Sequence, residues 1–255
     1  MSREKLNNIV ITGAGSGLGE ALAKIFSGKG NTLGLIGRNR ERLERVAGEC
    51  RNLGARVETA SIDVRDRDEL AKWLEDFDNR FPVDLVIANA GIIATGEPAS
   101  GTGSGTSIRE TFDTNFFGVI NTVNPLLERM SARKNGNIAI ISSLSAYLGV
   151  PLYPAYSASK AALKSYYEGI RGIYARNRVW ISVICPSFIS TPMNAGHYSP
   201  FKRMTAEEAA HIIKKGLERH RANITFPISH LWGIRLLKLL PDRMADRIFL
   251  RIFKC

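Results

Sequence analysis

Cysteine is scarce in this chain: Cys50, Cys185 and Cys255 are three among 255 residues, odd in number and widely spaced. That pattern argues against a disulfide framework or a zinc site and is expected of reduced thiols in a cytoplasm. No apolar run approaches the ~20 residues that a membrane-spanning helix requires. The opening residues, MSREKLNN, are polar and lead straight into a β-rich run, so no signal peptide is expected. Acidic residues are in deficit, with Asp and Glu totalling 24 against 35 Lys and Arg, for a net charge of +11. The basic residues are spread along the chain, however, and no nucleic-acid module is visible, so nucleic acid is not an expected partner. A phosphate-bearing cofactor, an anionic substrate or an anionic membrane surface would use the same field. A hydrophobic share of 44% and a charged share of 23% are those of a globular protein with an ample core.

What the sequence does contain is an alternation of short apolar runs and helical patterns. NIVIT (8–12) reads as a first strand; GAGSGLG (13–19) follows, and then a helical pattern to about residue 28. Strand, glycine turn and helix in that order are the context of a dinucleotide site. Glycine admits unusual backbone angles and close approach of a pyrophosphate, and the helix start offers free N–H groups. The second strand, TLGLIG (32–37), ends at Arg38, Asn39 and Arg40. An acidic residue there suits the ribose hydroxyl of NAD, whereas arginine suits the 2′-phosphate of NADP. Further strands are read at 55–64, 83–91, 136–143, 178–186 and 222–227, with helices near 39–53, from Asp66, and over 108–133 and 156–176. Asp63 closes the third strand and can meet an adenine amino group or cap the following helix. Residues 95–107 are read as a polar, glycine-rich loop. Thr205 and Glu208 form a capping box. No internal repeat appears. The expected architecture is a single α/β domain: a Rossmann-type, doubly wound parallel sheet of about seven strands with helices on both faces.

The chemistry is expected in SSLSAYLGVPLYPAYSASK (142–160). Tyr156 and Lys160 lie four residues apart, hence one turn apart on one helical face. A nearby ammonium would stabilise the phenolate and lower the pKa of Tyr156 from its usual ~10, making it a general acid/base. Ser143, at a strand end, would polarise a substrate oxygen. Asn115 is disfavoured mid-helix, which hints at a task.

Together these pieces resemble the short, single-domain branch of the short-chain dehydrogenase/reductase family over roughly residues 7–227. The resemblance rests on Thr12-Gly13-x-x-x-Gly17-x-Gly19, Asn89-Ala90-Gly91, Asn115, Ser143, Tyr156-x-x-x-Lys160 and the segment from Pro186 to Thr191, with Ser143 thirteen positions before Tyr156. It implies an oxidoreductase that interconverts a ketone or aldehyde and an alcohol. Asn115, Ser143, Tyr156 and Lys160 would be catalytic, and NADP(H) is preferred, with NAD(H) as the alternative. Gly13, Ser16, Gly17, Leu18, Gly19, Arg38, Asp63, Val64, Asn89, Ala90, Gly91, Tyr156, Lys160, Pro186, Ile189 and Thr191 would hold the cofactor. Ala88 and Ser187 depart from the usual Asn and Gly, and Ser16 stands where some NADP enzymes carry a base. The resemblance also implies a homodimer or homotetramer built on the helices around 108–133 and 154–176, which Gly169 and Gly172 would allow. An idle dinucleotide sensor on the same fold and a nucleotide-sugar-modifying enzyme are the alternative functions.

Ser143, Leu144, Tyr153, Tyr156, Phe188 and Met193, with Tyr147, Leu148, Leu152 and Tyr198 beside them, are the candidate substrate residues. Their apolar and aromatic character favours a hydrophobic, lipid-like carbonyl compound over a bare sugar. Residues 1–227 are read as the dinucleotide-binding and catalytic domain, and 228–255 as a basic, amphipathic helical extension. Its apolar faces are expected to cover the substrate cleft or a subunit interface. A peripheral contact with the inner face of an anionic membrane is the second reading.

Overall fold

In the computed structural model, residues 6–93, 105–195 and 199–253 are described. Seven strands form one all-parallel sheet: β1 (Asn8–Thr12), β2 (Thr32–Ile36), β3 (Arg56–Ala60), β4 (Leu85–Ala88), β5 (Gly136–Ile141), β6 (Val179–Pro186) and β7 (Asn223–Phe226). Their order across the sheet is β3-β2-β1-β4-β5-β6-β7. The chain order reverses between β1 and β4, the crevice where doubly wound sheets bind ligands. Helices α1 (Gly17–Ile25), α2 (Arg40–Asn52) and α3 (Arg67–Arg80) follow the first three strands. Next come α4 (Gly105–Phe112), α5 (Gly118–Arg133), α6 (Pro154–Ala175) and α7 (Ala206–Leu217), then α8 (Ile228–Leu237) and α9 (Asp242–Phe253).

The strands are apolar throughout because both sheet faces are covered. In β1, Ile9 and Ile11 pack with Leu22, Val46 and Ile213, whereas Val10 points the other way, towards Leu74, Val123 and Leu163. Local signals set the helix starts. Asn39 accepts from Arg42 N, Asp66 accepts from Glu69 N, and Thr205 and Glu208 close their box at 3.1 and 3.0 Å. Asp66, not Asp63, thus caps α3; Asp63 instead turns back on Arg65, accepting from its backbone and its guanidinium. Buried Asp78 ties α3 to α5, accepting from Arg129 Nε at 2.6 Å and Arg133 Nη1 at 2.9 Å.

Two expectations need correction. The reading of 95–107 as a loop lies outside the described residues as far as 104, and from Gly105 the chain is helical. The helix expected over 108–133 is broken by a π-helical turn, Asp113–Phe117, around Asn115. Gly169 and Gly172, glycines inside a helix, mark no close packing within the chain, since a Cβ at either would meet nothing within 4 Å. They lie on an outer face of α6 with the exposed Tyr166 and Ile173.

Candidate active site

The C-terminal ends of β1, β2, β4, β5 and β6 open onto one elongated cavity of about 640 Å³. At one end lies the turn after β1. Gly13 and Gly17 adopt φ of +67° and +56°, angles that favour glycine. A Cβ on Gly19 would sit 2.1 Å from the Gly13 carbonyl oxygen, so α1 can approach the turn only with glycine there. Gly19 therefore packs the turn and does not line the cavity. Ser16 precedes α1 in extended conformation without a side-chain capping bond, leaving the first N–H groups of that helix facing the cavity. Thr12 secures the turn from behind, its Oγ1 accepting from the N–H groups of Asn89 and Ala90. Asn89 Nδ2 donates back to the Thr12 carbonyl at 3.0 Å.

The cavity is also lined by Gly13, Gly17, Leu18, Arg38, Asp63, Val64, Asn89, Ala90, Gly91, Pro186, Ile189 and Thr191, all expected there from the sequence. Arg38 leans on Asp63 at 4.0 Å. Arg40 points elsewhere. The second cation in the lining is Arg42, which sequence reasoning missed. Its signal was present: Asn39 starts α2, and the residue two beyond Arg40 turns back towards the cavity. A positive-φ glycine turn, open helix N–H groups, a small-residue floor at Ala90 and Gly91, and two arginines at the far end fit a dinucleotide.

Catalytic candidates occupy the other end. Lys160, on α6, is 3% exposed, and its ammonium donates to the Ile141 carbonyl at 2.9 Å. Its Nζ lies 5.6 Å from the centre of the Tyr156 ring. Ser142 Oγ donates to the Lys160 carbonyl at 2.9 Å, fixing α6 against the end of β5. Ser143 shares a hydrogen bond with the Tyr156 hydroxyl and accepts from Ser145 N. Asn115 lines no cavity. It is fully buried in the π turn, grips Ile92 by both backbone groups at 2.7 and 2.9 Å, and donates to Ser159 Oγ at 3.1 Å. A π turn displaces one residue from the regular helical ladder, here placing an amide between β4's exit and α6.

The expected lowering of the Tyr156 pKa by Lys160 does not occur in this arrangement. Burial pushes the phenol up to about 12, opposed only in part by the Ser143 hydrogen bond. Burial also pushes the Lys160 ammonium down to about 8. Both shifts disfavour the charged form.

A second cavity, of about 730 Å³, begins where the first ends. Ile93, Ser143, Tyr156, Ser187 and Asn194 border both. Leu144, Leu148, Tyr153 and Phe188 line the second cavity, and α8 and α9 form its outer wall through Ile234, Leu237, Phe249 and Phe253. Met193 lies on the first cavity instead, and Leu152 and Tyr147 line neither; the Tyr147 hydroxyl faces Thr225 Oγ1 at 3.5 Å. Tyr198 lies outside the described residues. Two polar features here were missed. Ser145 Oγ is buried without a hydrogen-bond partner among the described residues. Ser187 Oγ meets His230 Nδ1 at 2.8 Å, and burial holds that imidazole below its usual pKa. The serine that replaces the usual glycine thus carries no positive φ; it anchors α8 to the end of β6.

The short chain dehydrogenase family model matches residues 7–200. An uncharacterized oxidoreductase of Myxococcus xanthus (strain DK1622) is 30% identical over 248 residues, 96% of this chain and 97% of that protein. The 11-beta-hydroxysteroid dehydrogenase 1A of Arabidopsis thaliana is 31% identical over 258 residues, 91% of this chain and 72% of that one. Among solved structures, a short chain dehydrogenase/reductase from Burkholderia phymatum in complex with NAD superimposes with a TM-score of 0.83 at 24% identity, covering 93% of this chain and 95% of its own. A short-chain dehydrogenase from Sphingobium yanoikuyae in complex with NADPH gives 0.77 at 21%, covering 93% and 97%. The chain belongs to the short-chain dehydrogenase/reductase family of oxidoreductases.

Proposed function

We propose that this chain is an NADP(H)-dependent oxidoreductase that interconverts a ketone or aldehyde and the corresponding alcohol, with Tyr156 as the general acid/base and a hydrophobic carbonyl compound as substrate. The observation that carries the reading is the position of one phenol on the border between two cavities of opposite character. On one side are glycine turns, free helix N–H groups and arginines; on the other are leucines, phenylalanines and a tyrosine. Ser143 and Tyr156 stand on the border that a carbonyl compound entering from the apolar side would meet.

When bound, the dinucleotide supplies or accepts the hydride. Ser143 Oγ would donate to the carbonyl oxygen and polarise it. Tyr156, whose burial keeps it protonated near neutral pH, is set to give its proton to that oxygen as it becomes an alkoxide. Lys160 and the Gly91 backbone would hold the nicotinamide ribose, with the ammonium offering protons that its hydrogen bond to Ile141 leaves free. Asn115 would act as a positioning residue, since it clamps the β4 exit to α6. Arg38 and Arg42 would pair with a 2′-phosphate. A hydroxysteroid in the name of the Arabidopsis relative supports an apolar substrate class, as does the lining of the second cavity. The exposed face of α6 bearing Tyr166, Gly169, Gly172 and Ile173 supports self-association there.

The test is oxidation of NADPH, followed by absorbance, over a panel of apolar ketones and sugar carbonyls. Turnover is expected with the apolar group. Tyr156→Phe should lose ~10²-fold or more in kcat while retaining NADPH binding. Near-normal turnover by that variant would refute the assigned role.

A further inference from the structure

Helices α8 and α9 each have two faces, and the substrate cavity uses one of each. The inner faces, through Leu231, Ile234, Leu237, Phe249 and Phe253, are buried or line the cavity. The outer faces remain. On α8, Ile228, Trp232 and Leu236 recur every four residues along one exposed face, continued by Leu239 just beyond the helix; Leu236 is 62% and Leu239 81% exposed. Arg235 and Lys238 flank this stripe, with the Arg235 guanidinium 5.0 Å from the centre of the indole ring. On α9, Arg243, Arg247 and Arg251 follow one another at four-residue spacing, all exposed, with Leu250 and Met244 exposed beside them.

None of these five cations has an ion-pair partner among the described residues. Like charges stacked at four-residue spacing repel, so the arginine row weakens the helix that carries it. Asp242 and Asp246 stand on the same helix without pairing with the row among the described residues, and an anionic surface would neutralise it. Large aliphatic side chains, one indole and flanking bases are the composition of a helix lying in a lipid interface. No helix among the described residues is long and apolar enough to cross a membrane, so such contact would be peripheral. The stripe runs into the cavity: Leu236, Leu239 and Ile248 are exposed and belong to its lining.

We infer that the outer faces of α8 and α9 dock on an anionic bilayer surface, with the cavity mouth turned towards the lipid. The cations would neutralise headgroup charge, the Ile228–Leu239 stripe would enter the acyl boundary, and an amphiphilic carbonyl compound would pass from the bilayer to Tyr156 without crossing water. The delivery step rests on the reductase reading; the docking does not.

Docking is therefore tested without cofactor or substrate. The full chain is sedimented with vesicles of phosphatidylcholine alone, or of phosphatidylcholine with phosphatidylglycerol, at low and high salt. Binding to the anionic vesicles, reduced by salt, is expected, with a blue shift in tryptophan emission that Trp232→Gln abolishes. The triple variant Arg243→Glu/Arg247→Glu/Arg251→Glu should lose at least about a hundredfold in partitioning, as each base near a charged surface contributes roughly a factor of five. An unchanged thermal melt would show that it is folded. A second, milder set, with the same three arginines changed to Gln, should lose less but in the same direction. Failure of the wild-type chain to bind, or equal binding to neutral and anionic vesicles, would overturn the inference. So would a charge-reversed chain that binds as before, or one that changes only the oligomeric state. Such failures would leave the reductase reading untouched, and a failed carbonyl screen would leave the docking untouched.

Discussion

Lys160→Met offers a test in which stability and function should move in opposite directions. The ammonium is buried, makes a hydrogen bond to the Ile141 carbonyl, and has no carboxylate partner among the described residues. Burial lowers its pKa from near 10.5 to about 8. Between those values the unfolded chain binds the proton and the folded chain does not, so stability rises with pH through this window. Below it the buried charge costs the folded state its full penalty. A displacement of that size corresponds to about 3 kcal/mol. Methionine keeps the length and removes the charge, but forfeits a hydrogen bond whose net value is about 1 kcal/mol. The variant should therefore be more stable than the parent by about 1–3 kcal/mol at pH 7. That advantage should shrink by roughly 2–3 kcal/mol as pH rises from 7 to 10, because the parent loses its penalty while the variant has none to lose. Urea denaturation at the two pH values measures both terms, and the difference between them does not depend on the hydrogen-bond value. Carbonyl reduction should be lost throughout. A variant no more stable than the parent at pH 7, with a stability difference unaffected by pH, would refute the argument.

Arg38→Asp should weaken NADPH by about 1.5–3 kcal/mol and NADH far less, as seen by fluorescence titration; Arg42→Ala should act in the same direction. Equal losses for both cofactors would remove the arginines from phosphate recognition. Asn115→Leu conserves volume but orphans both backbone groups of Ile92, so a stability loss of about 2–4 kcal/mol in urea is expected together with a fall in kcat. A fall in kcat without any loss of stability would mean that Asn115 acts on the reaction directly. Ile173→Glu, on the exposed face of α6, should shift the chain to a smaller species in light scattering while leaving its thermal melt within about 0.5 kcal/mol of the parent. A chain already monomeric at micromolar concentration would exclude self-association through that face.

The fold was legible because a parallel sheet covered on both faces needs apolar strands, and runs such as VDLVIANAG stand out from their surroundings. Helix starts were legible where a short side chain caps them, as at Asp66 and Thr205. The π turn was not. A slip in the hydrogen-bond ladder leaves no mark on apolar periodicity, and Asn115 showed only as a residue out of place. Arg40 was read in place of Arg42 because proximity along the chain was followed where the helical turn from Asn39 should have decided. The contact between Ser187 and His230 joins residues 43 positions apart and had no local signal. The sign of the Tyr156 shift was misread for a related reason. Spacing puts an ammonium on the same helical face, but only the tertiary structure shows how strongly the site is buried, and here burial outweighs the neighbouring charge.

The division of the site between two kinds of structure has a chemical consequence. Ser143, Tyr156 and Lys160 stand on β5's exit and α6, held by Ser142, Asn115 and the sheet itself, so the reacting groups vary little in position. The walls of the apolar cavity come mainly from α8 and α9, with Phe188, Phe201 and Arg203 beside them. A substrate's carbonyl must therefore satisfy a fixed constellation, whereas its hydrocarbon part meets mainly the apolar side chains of two helices. Discrimination among apolar carbonyl compounds should then be shallow, because an extra methylene against such a wall gains or loses only about 1 kcal/mol. Ser145, whose hydroxyl has no hydrogen-bond partner among the described residues, and the Ser187–His230 pair are among the polar groups along that cavity, with Asn194, Arg203 and Ser229, where sharper selection can arise. A substrate oxygen that met Ser145 would satisfy a buried group that otherwise goes without a partner.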